Sequence, residues 1–254
     1  MRRTDNDAVL SRAFRVLGAF SPQRAELTLD ELAEASGLPR STTHRLARQL
    51  AAVRALEPSR RGWRLGLRLF ELGQLVPHQE RLRDLALAHM EDLYELTHET
   101  VQLAVLDGHE VLYVEILSGH RKAPTPSRRG GRMPLHCTAL GKILLAFSAD
   151  RGAALLEAIG PLIPRTANTI TDVARLTEQL AEARSSGLAF DFGESSPALQ
   201  CAAAPVLARD GTARAALSVS MGVEGPLGAR DIASAVQVSA LALTRELRTM
   251  PIVI

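Results

Sequence analysis

The sequence predicts an α+β chain in two parts: an N-terminal winged helix-turn-helix, then a linker helix and a larger domain with an antiparallel-rich sheet. Three observations carry that expectation. Residues 8–54 hold three helical patterns punctuated by a capping box and a glycine stop. A basic hairpin pattern follows them. Beyond residue 98, strand-like runs come in two clusters with helical patterns between and after them.

Residues 8–20 place Val9, Ala13, Val16, Leu17 and Phe20 at helical spacing, with Ser21 and Pro22 as the stop. Thr28 caps the next helix, Glu31 completes the box, and Gly37 ends it. A third helix, about 40–54, turns Leu46, Ala47, Leu50 and Val53 inward, so Ser41, Arg45 and Arg48 project outward. Residues 55–57 and 62–65 read as two strands joined by a tip that carries Arg60 and Arg61. Residues 67–98 are helical, broken at Pro77, and the stretch with Leu67, Leu69, Phe70 and Leu72 has more apolar residues than one face needs. The second copy of such a stretch is a natural partner for the surplus.

In the larger part, runs 101–106 and 111–117 flank the turn signal Asp107, Gly108. A loop rich in Pro, Gly and Arg follows. Thr138, Ser148 and Thr171 stand as caps for three helices, the last ending before Gly187. Strands are expected at 188–192, 201–207 and 213–221, and a terminal helix at about 229–248. The domains are therefore 1–66, a linker at 67–79, and 80–254.

Across 254 residues the net charge is +2, which hides an asymmetry. Residues 1–66 hold 12 Arg against 7 acids, +5, and the remainder holds 18 basic against 21 acidic residues, −3. Between 40 and 64, seven arginines face one acid, Glu57. Such a basic element on a slightly acidic chain fits a polyanion. Ser41, Thr42 and Thr43 open the third helix, where short hydroxyls reach base edges or phosphates. Arg45 and Arg48 suit bidentate contact with guanine, Arg60 and Arg61 suit phosphates or the minor groove, and Arg40 and Arg64 suit phosphates. A roughly palindromic duplex site is the expected partner. No apolar run spans a bilayer and the start lacks a secretory stretch, so the expectation is a cytoplasmic chain with no membrane association. Cys137 and Cys201 lack CxxC spacing and are expected to be free thiols.

The stretch LTLDELAEASGLPRSTTHRLARQL at 27–50, followed by Trp63-Arg64-Leu65-Gly66 and LRLFELG, resembles the DNA-binding module of the IclR family of bacterial transcription regulators. ETVQLAVLDGHEVLYVE (99–115), MPLHCTALGKILLAF (133–147) and the segments around Cys201 to Pro205 and Ala216 to Ser220 resemble that family's GAF-like effector-binding domain. Arg54 stands where the family commonly has glycine, and residues 119–132 match poorly. The resemblance implies a homodimer or tetramer paired through helix one and the linker helix, a repressor of a catabolic operon, and an operator affinity altered by a small organic or aromatic carboxylic acid. No cofactor is expected. It also places the pocket lining at Ala139, Leu140, Asp191, Leu199, Cys201, Ser218 and Ser220.

The residues add their own reading. Thr138 to Gly141 at a helix start offer backbone N–H groups to a carboxylate, or serve the fold as an ordinary cap. Ser218 and Ser220 alternate along a strand and face one side. Asp191 either accepts from a ligand hydroxyl or orients a neighbouring amide; Lys142 either adds charge or faces solvent; Phe190 and Phe192 are expected to pack in the core. Two further classes compete. A metal-responsive regulator would use His136, Cys137, Cys201 and Asp191, although adjacent His136 and Cys137 point apart. An enzyme would use Cys137 or Cys201 with His136, without any nucleophile elbow, phosphate loop or HExxH motif in support.

Overall fold

The computed structural model describes residues 8–120, 126–148 and 152–249. The chain divides into two compact units, Met1–Pro77 and His78–Ile254.

In the first unit, α1 (Val9–Leu17) stops at Gly18, whose N–H bonds the Phe14 carbonyl, ahead of the expected stop. A tight turn then pairs Ser21 with Arg24. Thr28 and Glu31 close a reciprocal capping box on α2 (Leu29–Ser36), and Gly37 leaves it at φ +61°, a left-handed conformation cheap for glycine. α3 (Arg40–Ala52) follows. Val16, Phe20, Leu27, Leu32, Leu46, Ala47 and Leu56 form the core. Val53, expected in that stripe, is 62% exposed. The helix has ended one residue before it, and Arg54 takes φ +62°, turning the chain away. β2 (Leu56–Pro58) and β3 (Trp63–Leu65) make the wing, with a third strand the sequence reading lacked, β1 (Glu26–Leu27), in the order β1-β3-β2. Two residues are too few to show a period of two. α4 (Leu67–Gly73) completes the unit.

The second unit is three layers. A six-stranded antiparallel sheet runs β6-β5-β4-β9-β8-β7, with β4 (Thr100–Asp107), β5 (Glu110–Leu117), β6 (Arg132–Pro134), β7 (Ala189–Phe192), β8 (Leu199–Leu207) and β9 (Ala213–Gly222). The register Val101↔Val219 and Gln102↔Ser218 joins the first strand cluster to the last. β6, inside the expected loop, pairs with β5. α5 (Pro77–Thr97) and α9 (Ala233–Thr249) cover one face through Leu82, Met90, Leu93, Val236 and Leu243 against Leu103, Ala204 and Leu217. α6 (Ala139–Ala146) and α8 (Val173–Ser186) cover the other, against Ala104, Ala203 and Ala216. Each fully buried Leu contributes about 1.5–3 kcal/mol. Since side chains alternate, Gln102, Cys201, Ser218 and Ser220 share the α6 face with Ala104, Ala203 and Ala216.

Three local expectations are corrected. Asp172, not Thr171, caps α8: its carboxylate accepts from the Arg175 N–H at 2.7 Å, and a carboxylate is the stronger acceptor. Ser148 donates back to the Leu145 carbonyl at 2.7 Å, and the expected start of the next helix at 149–151 lies outside the described residues; α7 is Gly152–Ile159. Phe192 is 42% exposed, stacked on half-buried Phe190 with ring centroids 5.5 Å apart and under the Arg230 guanidinium. Residues 121–125 of the expected basic loop also lie outside the described residues.

Candidate DNA-reading face and effector cavity

On α3, Ser41, Arg45 and Arg48 are exposed on the side opposite the core, joined by His44 and Gln49, which sequence reasoning left out. Thr42 is half-buried. Thr43 leaves the outward face: it is fully buried and its hydroxyl donates to the Pro39 carbonyl at 3.1 Å. At 100° per residue it lies beside Leu46 and Ala47, a phase the run of three hydroxyls concealed.

The arginines divide by partner. Arg40 pairs with Asp30 at 2.5 Å, Arg61 with Glu31 at 2.5 Å and Arg64 with Glu57 at 3.0 Å. Two of those acids lie outside the 40–64 window, which is why the window looked nearly unopposed. Arg45, Arg48 and Arg60 form no ion pair among the described residues. Exposed pairs contribute about 0–1 kcal/mol, so a phosphate displaces such a carboxylate at little cost.

In the second unit the structure gathers Ala139, Leu140, Asp191, Leu199, Cys201, Ser218 and Ser220 around one cavity, together with Gln102, Tyr113, Pro126, Met133, Thr138 and Ser195. Its open volume is about 10 Å³, room for a single water, so any larger molecule must part the walls. The roof is the start of α6. There Thr138 Oγ1 accepts from the Gly141 N–H at 3.0 Å and the Thr138 carbonyl from Lys142, while helix geometry leaves the Ala139 and Leu140 N–H groups without intrahelical partners. The floor is sheet: Ser218 donates to Gln102 Oε1 at 3.2 Å, and Cys201 Sγ lies 2.9 Å from Ser220 Oγ.

Asp191 is fully buried at the side. Its Oδ1 accepts from the Glu194 and Ser195 N–H groups at 2.7 and 3.3 Å, and its Oδ2 from the Ser195 hydroxyl at 2.5 Å. Of its two expected roles, the orienting one is visible. Burial raises its pKa, against the pull of those hydrogen bonds and of Lys142. Lys142 does not face solvent. It is 1% exposed, and its ammonium donates to Glu194 Oε1 at 2.5 Å, Gln179 Oε1 at 2.7 Å and the Phe190 carbonyl at 3.0 Å. Glu194, which no motif marked, gives the buried cation its counter-charge; burial raises its pKa and Lys142 lowers it.

The residues of the metal and enzyme readings are placed differently. Burial pushes the Cys137 thiol up to about 12 and the Cys201 thiol well above its ordinary value, so neither is a thiolate at neutral pH. His136 Nε2 lies 3.1 Å from the Ile163 carbonyl, and burial lowers its pKa. Among the described residues, no three His, Cys, Asp or Glu side chains are grouped to hold a metal ion.

Comparison with known proteins decides the family. Residues 9–60 match the IclR helix-turn-helix domain, and residues 74–244 match the family described as bacterial transcriptional regulator IclR C-terminal. The chain belongs to the IclR family. It is 34% identical over 214 residues to the HTH-type transcriptional regulator XynR of Escherichia coli, covering 83% of this chain and 84% of that protein. It is 32% identical to the transcriptional repressor IclR of E. coli, over 83% and 78%. A crystal structure of an IclR homologue from Microbacterium hydrocarbonoxydans complexed with 4-hydroxybenzoate superposes with a TM-score of 0.86, at 31% identity, over 96% of this chain and 100% of that one. This IclR-family chain is thus a DNA-binding transcriptional regulator, not an enzyme. Among the described residues, no helix is long and apolar enough to cross a membrane.

Proposed function

We propose that this IclR-family regulator is a repressor of a catabolic operon, that it binds a roughly palindromic operator through α3 and the wing, and that a small carboxylic acid in the α6 cavity changes its affinity. The observation that carries the reading is the cavity itself: two α6 N–H groups at the positive end of a helix dipole above a floor of serine hydroxyls and apolar walls, a setting for a carboxylate on a short carbon frame. The 4-hydroxybenzoate complex of the Microbacterium homologue supports an aromatic acid.

A palindromic operator requires two reading heads. Exposed apolar residues of the first unit support such pairing: Phe14 is 71% exposed on α1 and Phe70 65% exposed on α4, with Val9, Leu10 and Leu67 also exposed. We assign the dimer contact to these two helices, and the site of action to the cytoplasm, where the operator is.

A thermal-shift screen of small carboxylic and aromatic acids tests the cavity. A ligand at 100 times its Kd adds about 2.7 kcal/mol, a rise of about 5–10 °C for a domain of this size. If no acid moves the transition, the cavity assignment fails.

A further inference from the structure

The cavity floor holds a residue that neither the motifs nor the resemblance marked. Gln102, on the central strand β4, is 3% exposed and lines the cavity beside Ser218. Its amide bridges two serine hydroxyls. Nε2 donates to Ser127 Oγ at 2.7 Å, which turns Oε1 toward Ser218, and the Ser218 hydroxyl donates to it at 3.2 Å. The Ser218 proton is therefore committed, and the Ser218 oxygen presents lone pairs to the cavity. Ser195 repeats the pattern: its proton goes to Asp191 Oδ2, leaving its oxygen an acceptor.

The cavity is thus polarised. Its α6 side offers backbone donors, and its Gln102, Ser218, Ser195 and Asp191 side offers acceptors. A carboxylate alone satisfies the first side and leaves the second facing carbon. Resting on the carboxylate reading above, we propose that the effector is a hydroxy acid, and that Gln102, by fixing the direction of the Ser218 proton and offering its own carbonyl oxygen, reads the effector's hydroxyl.

The test is calorimetric titration of the full-length protein with matched acids, each with and without a hydroxyl: 4-hydroxybenzoate against benzoate, and lactate against propionate. In the wild type, a hydroxy acid is expected to bind about tenfold or more tighter than its partner, the effect of one lost buried hydrogen bond. Gln102→Met, similar in length and apolar, is expected to bring the two members of that pair within about twofold of each other, chiefly by weakening the hydroxy acid. Gln102→Asn, which keeps an amide but withdraws it by one methylene, serves if Gln102→Met does not fold, and is expected to lose most of the discrimination. Equal binding of both members of each pair by the wild type, or discrimination that survives in the folded variant, overturns the hydroxyl reading while leaving the carboxylate reading intact. Absence of binding by all four acids, with another carboxylate lacking a hydroxyl active in the thermal screen, also overturns it; no carboxylate binding at all overturns both.

Discussion

Replacing Lys142 by Met removes a buried cation behind the cavity and keeps its stem. The ammonium makes three hydrogen bonds, to Glu194, Gln179 and the Phe190 carbonyl, and Glu194 is itself buried. Methionine fills the volume, so the loss is mainly that of leaving a carboxylate uncompensated, about 3–5 kcal/mol. For a domain of this size that lowers the melting transition by roughly 10 °C. The sign of the pH dependence follows from Glu194. Burial already raises its pKa and Lys142 opposes that rise, so removing Lys142 raises it further. A carboxyl group whose folded pKa lies above its unfolded one binds its proton more tightly when folded; its contribution to stability is retained at low pH and lost as pH rises through the folded value. The deficit of Lys142→Met is therefore largest at neutral pH and shrinks as pH is lowered toward the ordinary carboxylate range, where Glu194 is protonated. Thermal unfolding of wild type and variant across pH 5–8 measures it. An unchanged transition at neutral pH, or a deficit that grows on acidification, rules out a stranded Glu194 charge as the source of the loss. Adding Glu194→Gln removes the stranded charge, so the double variant is expected to recover part of the loss.

Four further outcomes are expected. Ser218→Ala with Ser220→Ala weakens acid binding tenfold or more while operator affinity in the absence of acid stays within about twofold; unchanged calorimetric affinity in the folded variant removes both serines from the site. Gly141→Ala places a Cβ 2.2 Å from the Leu135 carbonyl oxygen and 2.5 Å from its Cα, so the second unit loses at least about 1–3 kcal/mol in urea unfolding; a neutral result contradicts the close approach. Arg45→Ala costs about 1–3 kcal/mol and relaxes preference at one base position, whereas Arg60→Ala weakens all sequences and lowers the salt slope by about one; equal salt slopes for Arg60→Ala and wild type reject the wing contact. Phe14→Ser with Phe70→Ser shifts the protein toward monomer in light scattering, and an unchanged mass places the pairing surface elsewhere.

The parts of the fold legible in sequence were those with local signatures. The Thr28 and Glu31 box and the Gly37 stop are chemistry within a few residues and stand as read, and the turn expected at Asp107 and Gly108 falls one residue on, at Gly108 and His109. β1 and β6 were not legible, because strands of two and three residues exist through a partner distant in sequence. The cap at Asp172 was misassigned because Thr171 is an equally good capping type one residue earlier. At the candidate sites, the burial of Thr43 follows from a helical phase that three consecutive hydroxyls disguised. The pairing of Arg40 and Arg61 with Asp30 and Glu31 needed the fold. So did the Lys142–Glu194 pair, whose members are 52 residues apart, and the Gln102–Ser218 contact, across 116. The alternation that turns Ser218 and Ser220 to one side was readable, while the strand placing Gln102 beside Ser218 was not.

An acid bound in the second unit is expected to change what the first unit does. The direct measurement is fluorescence anisotropy of the full-length protein on its own upstream DNA, titrated with and without a saturating acid taken from the thermal screen. Operator Kd is expected to change by about 5–150-fold, the usual span of coupling between sites, and the change is expected to disappear in the Ser218→Ala, Ser220→Ala variant. Identical operator affinity with and without an acid that demonstrably binds, or a shift that persists in that variant, contradicts it.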